Sequence, residues 1–210
     1  MNKGVEQALA EHVAALQNCT TCSDMIGPVI TGKVVASPIM SVGQAPGIHE
    51  GKFQRPFSWT AGKTLFKWFE SIGVTEELYR QHVYMAAVCR CFPGKNARGG
   101  DRVPDKQEIL HCSQWLEAEY QLLQPELIIP IGKLAIQQYM SFGKLTEVIG
   151  ARHQLVLQGR VVDIIPLPHP SGVSTWFRTE PGKGLLQQAL SLIRKHPAWV
   201  STFQEPFCDG

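Results

Sequence analysis

The chain has 210 residues, of which 44% are hydrophobic and 18% charged, with a formal net charge of +2. That balance excludes a disordered chain and fits one globular domain with a sizeable core. A charge of +2 permits a local basic stripe without requiring one, since partners follow charge distribution more than the total.

Val5, Leu9, Val13 and Leu16 recur at helical spacing, so residues near 4–17 predict an amphipathic helix that delivers Cys19 and Cys22 at its C-terminal end. Val34–Ala36 and Ile39–Val42, interrupted by Pro38, predict a strand pair or one broken strand ending at Gly43. Gly43-Gln44-Ala45-Pro46-Gly47 then forces a turn whose backbone N–H groups can face a ligand. This turn lacks the Lys-Ser/Thr of a P-loop and the spacing of a dinucleotide-binding turn. Ala61–Ile72 predicts a helix, and the apolar run Val83–Val88 a buried strand.

Phe92–Pro104, rich in Gly, Arg, Lys and Asn, predicts a loop. Asp105–Leu123 predicts the longest helix and carries Cys112. A strand over Glu126–Ile131, a helix over Lys133–Phe142 and a strand pair over Gln154–Leu157 and Arg160–Leu167 follow. A final helix spans Gly182–His196. Residues 1–198 are expected to form one domain, with Trp199–Gly210 a loosely held tail. The alternation of strands and helices predicts an α/β fold with a mainly parallel sheet, whose ligands bind at the carboxyl ends of the strands.

No N-terminal segment reads as a signal peptide, because Met1–Gln17 carries Glu6, Glu11 and His12, and no apolar run approaches the ~20 residues of a membrane span. A soluble, cytoplasmic protein that does not engage membranes is the expectation. In a reducing compartment, Cys19, Cys22, Cys91 and Cys112 favour ligation over disulfides, and a C-x-x-C with two distant cysteines suits zinc or an iron–sulfur cluster. Cys89, two residues from Cys91, competes with it for that assignment, and Cys208 is incidental.

Gly43–Gly47 with Arg55-Pro56-Phe57 and Ala61-Gly62, the strand Ala86–Val88 leading into Cys91, the four cysteines, and Leu167-Pro168-His169-Pro170-Ser171 occur in one order from Cys19 to about Ile193. Together they resemble the uracil-DNA glycosylase superfamily, with the iron–sulfur branches, families four and five, the most similar. The resemblance implies a three-layer α/β sandwich, a monomeric DNA-repair glycosylase that hydrolyses the N-glycosidic bond of uracil or a related deaminated base, and a structural [4Fe–4S] cluster on Cys19, Cys22, Cys91 and Cys112. A glycosylase takes its base out of the stack and reads it in a pocket. The resemblance assigns the stacking position to Phe57 and base contacts to Ala45, Gly47, His49 and Ala87. His169 would donate to uracil O2, where negative charge develops. Ser171 would hold a phosphate, Val173 would fill the vacated stack with Trp176 close behind, and Lys95, Arg98 and Arg102 would grip phosphates.

The departures carry information as well. Family four has Glu where this chain has Gln44, and family five has an Asp where this chain offers Thr60. Glutamine positions water but cannot take a proton, which leaves Glu50 as the replacement base. Family four reads uracil with an Asn where this chain, like family five, has Ala87, which implies relaxed base choice. Some relatives capture uracil covalently through a His in the loop before the fourth cysteine; Lys95–Val103 contains no His, and Asp101 is its only carboxylate. The missing acid leaves a second expectation open: a non-catalytic DNA- or uracil-binding protein on the same scaffold.

Overall fold

The computed structural model describes residues 3–97, 99–172 and 174–204; Arg98, Val173 and Cys208 lie outside the described residues. In chain order the elements are α1 (Lys3–Gln17), β1 (Ile39–Gly43), α2 (Glu50–Phe53), α3 (Thr60–Glu70), α4 (Glu76–His82), β2 (Tyr84–Ala87), α5 (Lys106–Leu123), β3 (Leu127–Pro130), α6 (Lys133–Gln137), β4 (His153–Leu157), β5 (Arg160–Ile164), α7 (Gly182–Lys195) and α8 (Pro197–Phe203). The strands form a sheet of order β2-β1-β3-β5-β4. All neighbours are parallel except the edge pair β4–β5, which closes as a hairpin. Every residue of β1, β2 and β3 is buried, as expected of parallel strands covered on both faces.

Two cores follow from the pleat, because alternate residues of each strand point to opposite faces. Ile39, Met85, Leu127 and Ile129 pack under α3, α4, α7 and α8, through Phe69, Tyr79, Leu190 and Trp199. Met40, Val42, Tyr84, Ala86 and Ile128 face α1 and α5, through Leu9, Cys112 and Leu116. The result is the expected three-layer sandwich. Among the described residues no helix is long and apolar enough to cross a membrane.

Three expectations need correction. Residues 34–36 form no strand, since Pro38 removes a donor and pairing starts at Ile39. The helix from Lys133 closes at Gln137 rather than Phe142. The tail expected from Trp199 begins inside a helix that runs to Phe203. Pro197 starts it, His196 Nδ1 caps it by accepting from the Ala198 N–H at 3.1 Å, and Trp199 is wholly buried beside Phe69. His196 also ties this helix to the sheet through Nε2, which donates to Asp163 of β5 at 2.9 Å.

Candidate active site

A cleft of about 620 Å³ opens at the carboxyl ends of β1 and β2. One wall begins where β1 ends. The N–H groups of Val88 and Cys89 donate to the Gly43 and Gln44 carbonyls at 2.9 and 3.0 Å, which clamps the Gln44–Gly47 turn against the segment after β2. Glu50, buried at the start of α2, accepts from the Gly47 N–H at 2.9 Å and from the Ser58 N–H at 3.2 Å. Burial pushes its carboxyl above the usual range, while the N–H groups it binds and nearby Arg80 act in the opposite direction.

The second wall is the Phe57 turn. Arg80 of α4 donates to the Pro56 carbonyl at 2.8 Å and to the Phe57 carbonyl at 3.0 Å. Phe57 is thereby held at a left-handed φ of 53°, a conformation that costs a non-glycine residue about 1 kcal/mol or more and persists only where the surroundings enforce it. Two glycines make this possible. A Cβ on Gly62 would lie 1.7 Å from the Phe57 carbonyl oxygen, and one on Gly43 would lie 3.1 Å from the Phe57 ring. The ring therefore lies against the end of β1.

His169 closes the third side. The chain from β5 pairs Leu167 with Ile131, and the Gly132 N–H donates to the Leu167 carbonyl at 2.9 Å. Gly132, at φ 90°, leaves room for the imidazole, whose Cδ2 lies 3.0 Å from where a Cβ would be. The Ser171 N–H donates to His169 Nδ1 at 3.2 Å. With Nδ1 an acceptor, Nε2 carries the proton. Burial lowers the pKa of His169, opposed by the charge of Asp101, so the ring enters the cleft as a neutral donor.

The fourth side is the loop between β2 and α5. Lys95 and Asp101 pair as an isolated antiparallel bridge, and Lys95 Nζ lies 2.7 Å from Asp101 Oδ1. Arg102 grips Glu108 with both terminal nitrogens, and Glu108 with Asp105 forms the capping box of α5. Hydrogen bonds from Arg102 hold the Glu108 carboxyl below its usual range.

The cleft thus gathers Gln44, Ala45, Gly47, His49, Glu50, Phe57, Ala87, Lys95, Arg102, His169 and Ser171 from the expected set. Trp176 is not among them; half-buried, it packs on the first core, with its ring 2.8 Å from where a Gly182 Cβ would lie. Arg98 and Val173 lie outside the described residues. Two features of the rim escaped the sequence reading. Asp101 lines the cleft, and Trp59, 44% exposed, packs against the rings of His49 and Phe53, with centroids 4.4 and 6.0 Å away. A tryptophan within a polar turn was the one available sign of the latter.

A second cavity, of about 540 Å³, lies on the α1–α5 face. Cys19, Cys22, Cys91 and Cys112 all line it, with Arg90 and Trp115. Burial, then the charges of Cys112, Cys19 and Cys22, push the Cys91 thiol up to about 11. Cys22 is raised by burial and by Cys112. Cys89 is wholly buried outside this lining, and its interaction with Cys112 draws the Cys112 thiol down to about 6. Among the described residues no three His, Cys, Asp or Glu side chains are gathered as a lone metal ion requires. Arg90 Nη1 and Trp115 Nε1 are buried without a hydrogen-bond partner among the described residues. Beneath them Arg90 pairs with Glu119, which also accepts from the Tyr84 hydroxyl at 2.7 Å. Against the burial that would raise it, Arg90, His12 and Tyr84 hold the Glu119 carboxyl below its usual range.

Residues 30–194 match the family model described as the uracil DNA glycosylase superfamily. A Type-4 uracil-DNA glycosylase of Sulfurisphaera tokodaii is 27% identical over 170 residues, covering 79% of this chain and 74% of that protein. A Type-4 uracil-DNA glycosylase of Pyrobaculum aerophilum is 30% identical over 160 residues, covering 74% and 76%. A Type-5 uracil-DNA glycosylase of the same organism is 27% identical over 136 residues, covering 60% and 55%.

Proposed function

The chain belongs to the uracil-DNA glycosylase superfamily, and from that premise we propose that it hydrolyses the N-glycosidic bond between uracil, or a related deaminated base, and deoxyribose in DNA. The observation that carries this reading is His169. Its Nδ1 is occupied by the Ser171 N–H, its ring is neutral, and its Nε2–H is the available donor in a cleft that also presents the face of Phe57. As the base departs, negative charge collects on its O2. A positioned neutral donor stabilises that charge without reorganising, which is the largest single contribution in sites of this kind. Phe57 supplies the stacking face for the extruded base, and the clamped Gln44–Gly47 turn its polar contacts. With Ala87 on the cleft wall rather than a longer amide, the pocket makes few demands on the base edge.

The substrate strand runs over the rim formed by His49 and Trp59, where a ring face is exposed. Ser171 sits beside His169, in reach of a flanking phosphate.

Cys19, Cys22, Cys91 and Cys112 would hold a [4Fe–4S] cluster, whose contribution when bound is to pin the end of α1 to the β2–α5 segment. The cavity suits an anionic group. The four thiols share a space of about 540 Å³ without converging on a point, and the orphaned donors of Arg90 and Trp115 border it.

Gln44 in place of an acid supports a second reading, a binding protein without turnover. Single- and double-stranded oligonucleotides carrying uracil, hypoxanthine or xanthine separate the two. Excision of any of these bases establishes the enzyme, and tight binding with no excision establishes the alternative.

A further inference from the structure

Of the described residues lining the cleft, two carry carboxylates, Glu50 and Asp101. Glu50 is buried, with one oxygen on the Gly47 N–H and the other on the Ser58 N–H. Those bonds make it the brace that joins the two turns of the cleft. A group so engaged is poorly placed to take a proton from a mobile water, and Gln44 cannot take one at all.

Asp101 differs on each point. It stands on the antiparallel bridge with Lys95, so its backbone is fixed within an otherwise irregular loop, and the Asn96 N–H closes the turn onto the Gly100 carbonyl at 2.8 Å. Oδ1 accepts from Lys95 Nζ at 2.7 Å. Oδ2 lies 3.3 Å from where a Cβ on Gly47 would be, so it rests on the bare backbone of the turn that follows β1. Its charge reaches His169 on the other side of the cleft. The side chain is 42% exposed, which gives water free access to it.

We propose that Asp101 is the catalytic carboxylate of this cleft, standing in for the absent acid at position 44 from a different loop. The inference rests on the glycosylase reading and deepens it. Asp101 Oδ2 orients a water and accepts its proton as the water oxygen bonds to the sugar C1′. The C1′–N bond breaks, and its electron pair leaves with the base, where the His169 Nε2–H meets the charge. The products are the free base, once protonated from Asp101 or solvent, and the abasic sugar. The same negative charge favours the positive character that builds on the sugar as the bond breaks. Lys95 is then a positioning residue that holds Oδ1 and leaves Oδ2 directed at Gly47.

Single-turnover excision from a uracil oligonucleotide tests this in wild type, Asp101→Asn and Lys95→Met, alongside affinity for a uracil-free oligonucleotide and thermal melting. Asp101→Asn is expected to lower the excision rate by about 10²–10⁴-fold, the range of a lost acid–base group, with affinity not reduced and melting essentially unchanged. Lys95→Met keeps the carboxylate and should lose far less. A wild-type rate in Asp101→Asn overturns the proposal. So do equal losses in Asp101→Asn and Lys95→Met, which would assign the effect to the hairpin rather than the carboxylate. The wild-type lane is separate: no excision there, with DNA still bound, overturns the glycosylase reading itself and Asp101 with it.

Discussion

The two cavities are built on opposite principles. In the cleft, the polar groups are already engaged with one another: Glu50 with Gly47 and Ser58, Arg80 with the Phe57 turn, Ser171 with His169. In the cysteine cavity, thiols repel one another's ionisation and buried donors on Arg90 and Trp115 lack partners among the described residues. A buried polar group without a partner costs about 1–3 kcal/mol, so donors that line the second site carry a cost that the mutually paired groups of the first do not. One short segment joins them. Arg90 Nε donates to the Ala87 carbonyl at 2.9 Å, and the Cys89 N–H donates to the Gln44 carbonyl at 3.0 Å. Ala87 and Gln44 line the cleft, while Arg90 and Cys91 line the cysteine cavity.

The sharpest break of this contrast is removal of a thiol. Ala at Cys19, Cys22, Cys91 or Cys112 should abolish the brown colour and the bound iron, lower the melting temperature, and reduce excision through the Cys89–Gln44 tie. Cys89→Ala should keep its iron, because Cys89 is wholly buried in the second core and outside the lining of the cysteine cavity. Colourless wild-type protein holding one equivalent of zinc would replace the cluster. Loss of iron in Cys89→Ala would put Cys89 among the ligands.

Next in size is the ion pair beneath the cavity. Glu119 has no solvent exposure and holds Arg90, Tyr84 and, at 3.5 Å, His12. Glu119→Ala leaves a guanidinium buried and uncompensated, which typically costs about 3–5 kcal/mol. Urea titration of the purified protein measures it. A loss below about 1 kcal/mol would mean that water or a bound anionic group compensates Arg90.

On the cleft side, His169→Ala should lower the excision rate by about 10²–10³-fold, the usual consequence of removing one donor to a developing oxyanion. A wild-type rate would exclude His169 from the chemistry. The same residue sets a pH signature. Burial lowers its pKa in the folded state, so the stability it supports is present above the unfolded value of about 6.5 and is lost as the pH falls through the folded one. His169→Asn should therefore flatten the decline in melting temperature below about pH 6.5; an unchanged slope would place the decline elsewhere.

The unequal legibility of the two cavities has a physical cause. Thiols and a His-Pro-Ser turn are rare residue types whose order along the chain survives as a signal, and the stripe Leu9, Val13, Leu16 brought Cys19 and Cys22 to one helix end as its spacing predicts. The periodic run from Asp105 became α5, with Asp105 itself as the cap. Asp101 was not readable as a site residue, because its direction depends on a two-residue bridge and on the bare backbone of Gly47. The buried Glu119 did leave a trace: it continues the Cys112–Leu116 stripe at helical spacing, where an acid needs a buried partner. Trp199 was masked by its setting after a proline near the chain end, a place where looseness is the ordinary expectation.

The smallest effect concerns the rim, where the cleft's internal pairing leaves little for DNA to use. Lys95 and Arg102, expected to grip phosphates, are paired with Asp101 and Glu108. Neutralising Lys95 and Arg102 together should therefore reduce the slope of log affinity against log salt by less than the roughly 1.4–1.8 that two free phosphate contacts would account for. Trp59 is the freer surface. The residue is 44% exposed and its indole packs against His49 and Phe53, so its rotamer is already restricted and a base can lie on it at small entropic cost. Trp59→Ala should weaken binding of a single-stranded oligonucleotide by about 1–3 kcal/mol, with the salt slope unchanged because no charge is lost. Quenching of tryptophan fluorescence on titration, absent in the variant, would report the contact directly. Equal affinity of variant and wild type would show that the strand bypasses this shelf, and a full loss of two phosphate contacts in the Lys95 and Arg102 variant would show that DNA breaks the ion pairs on binding.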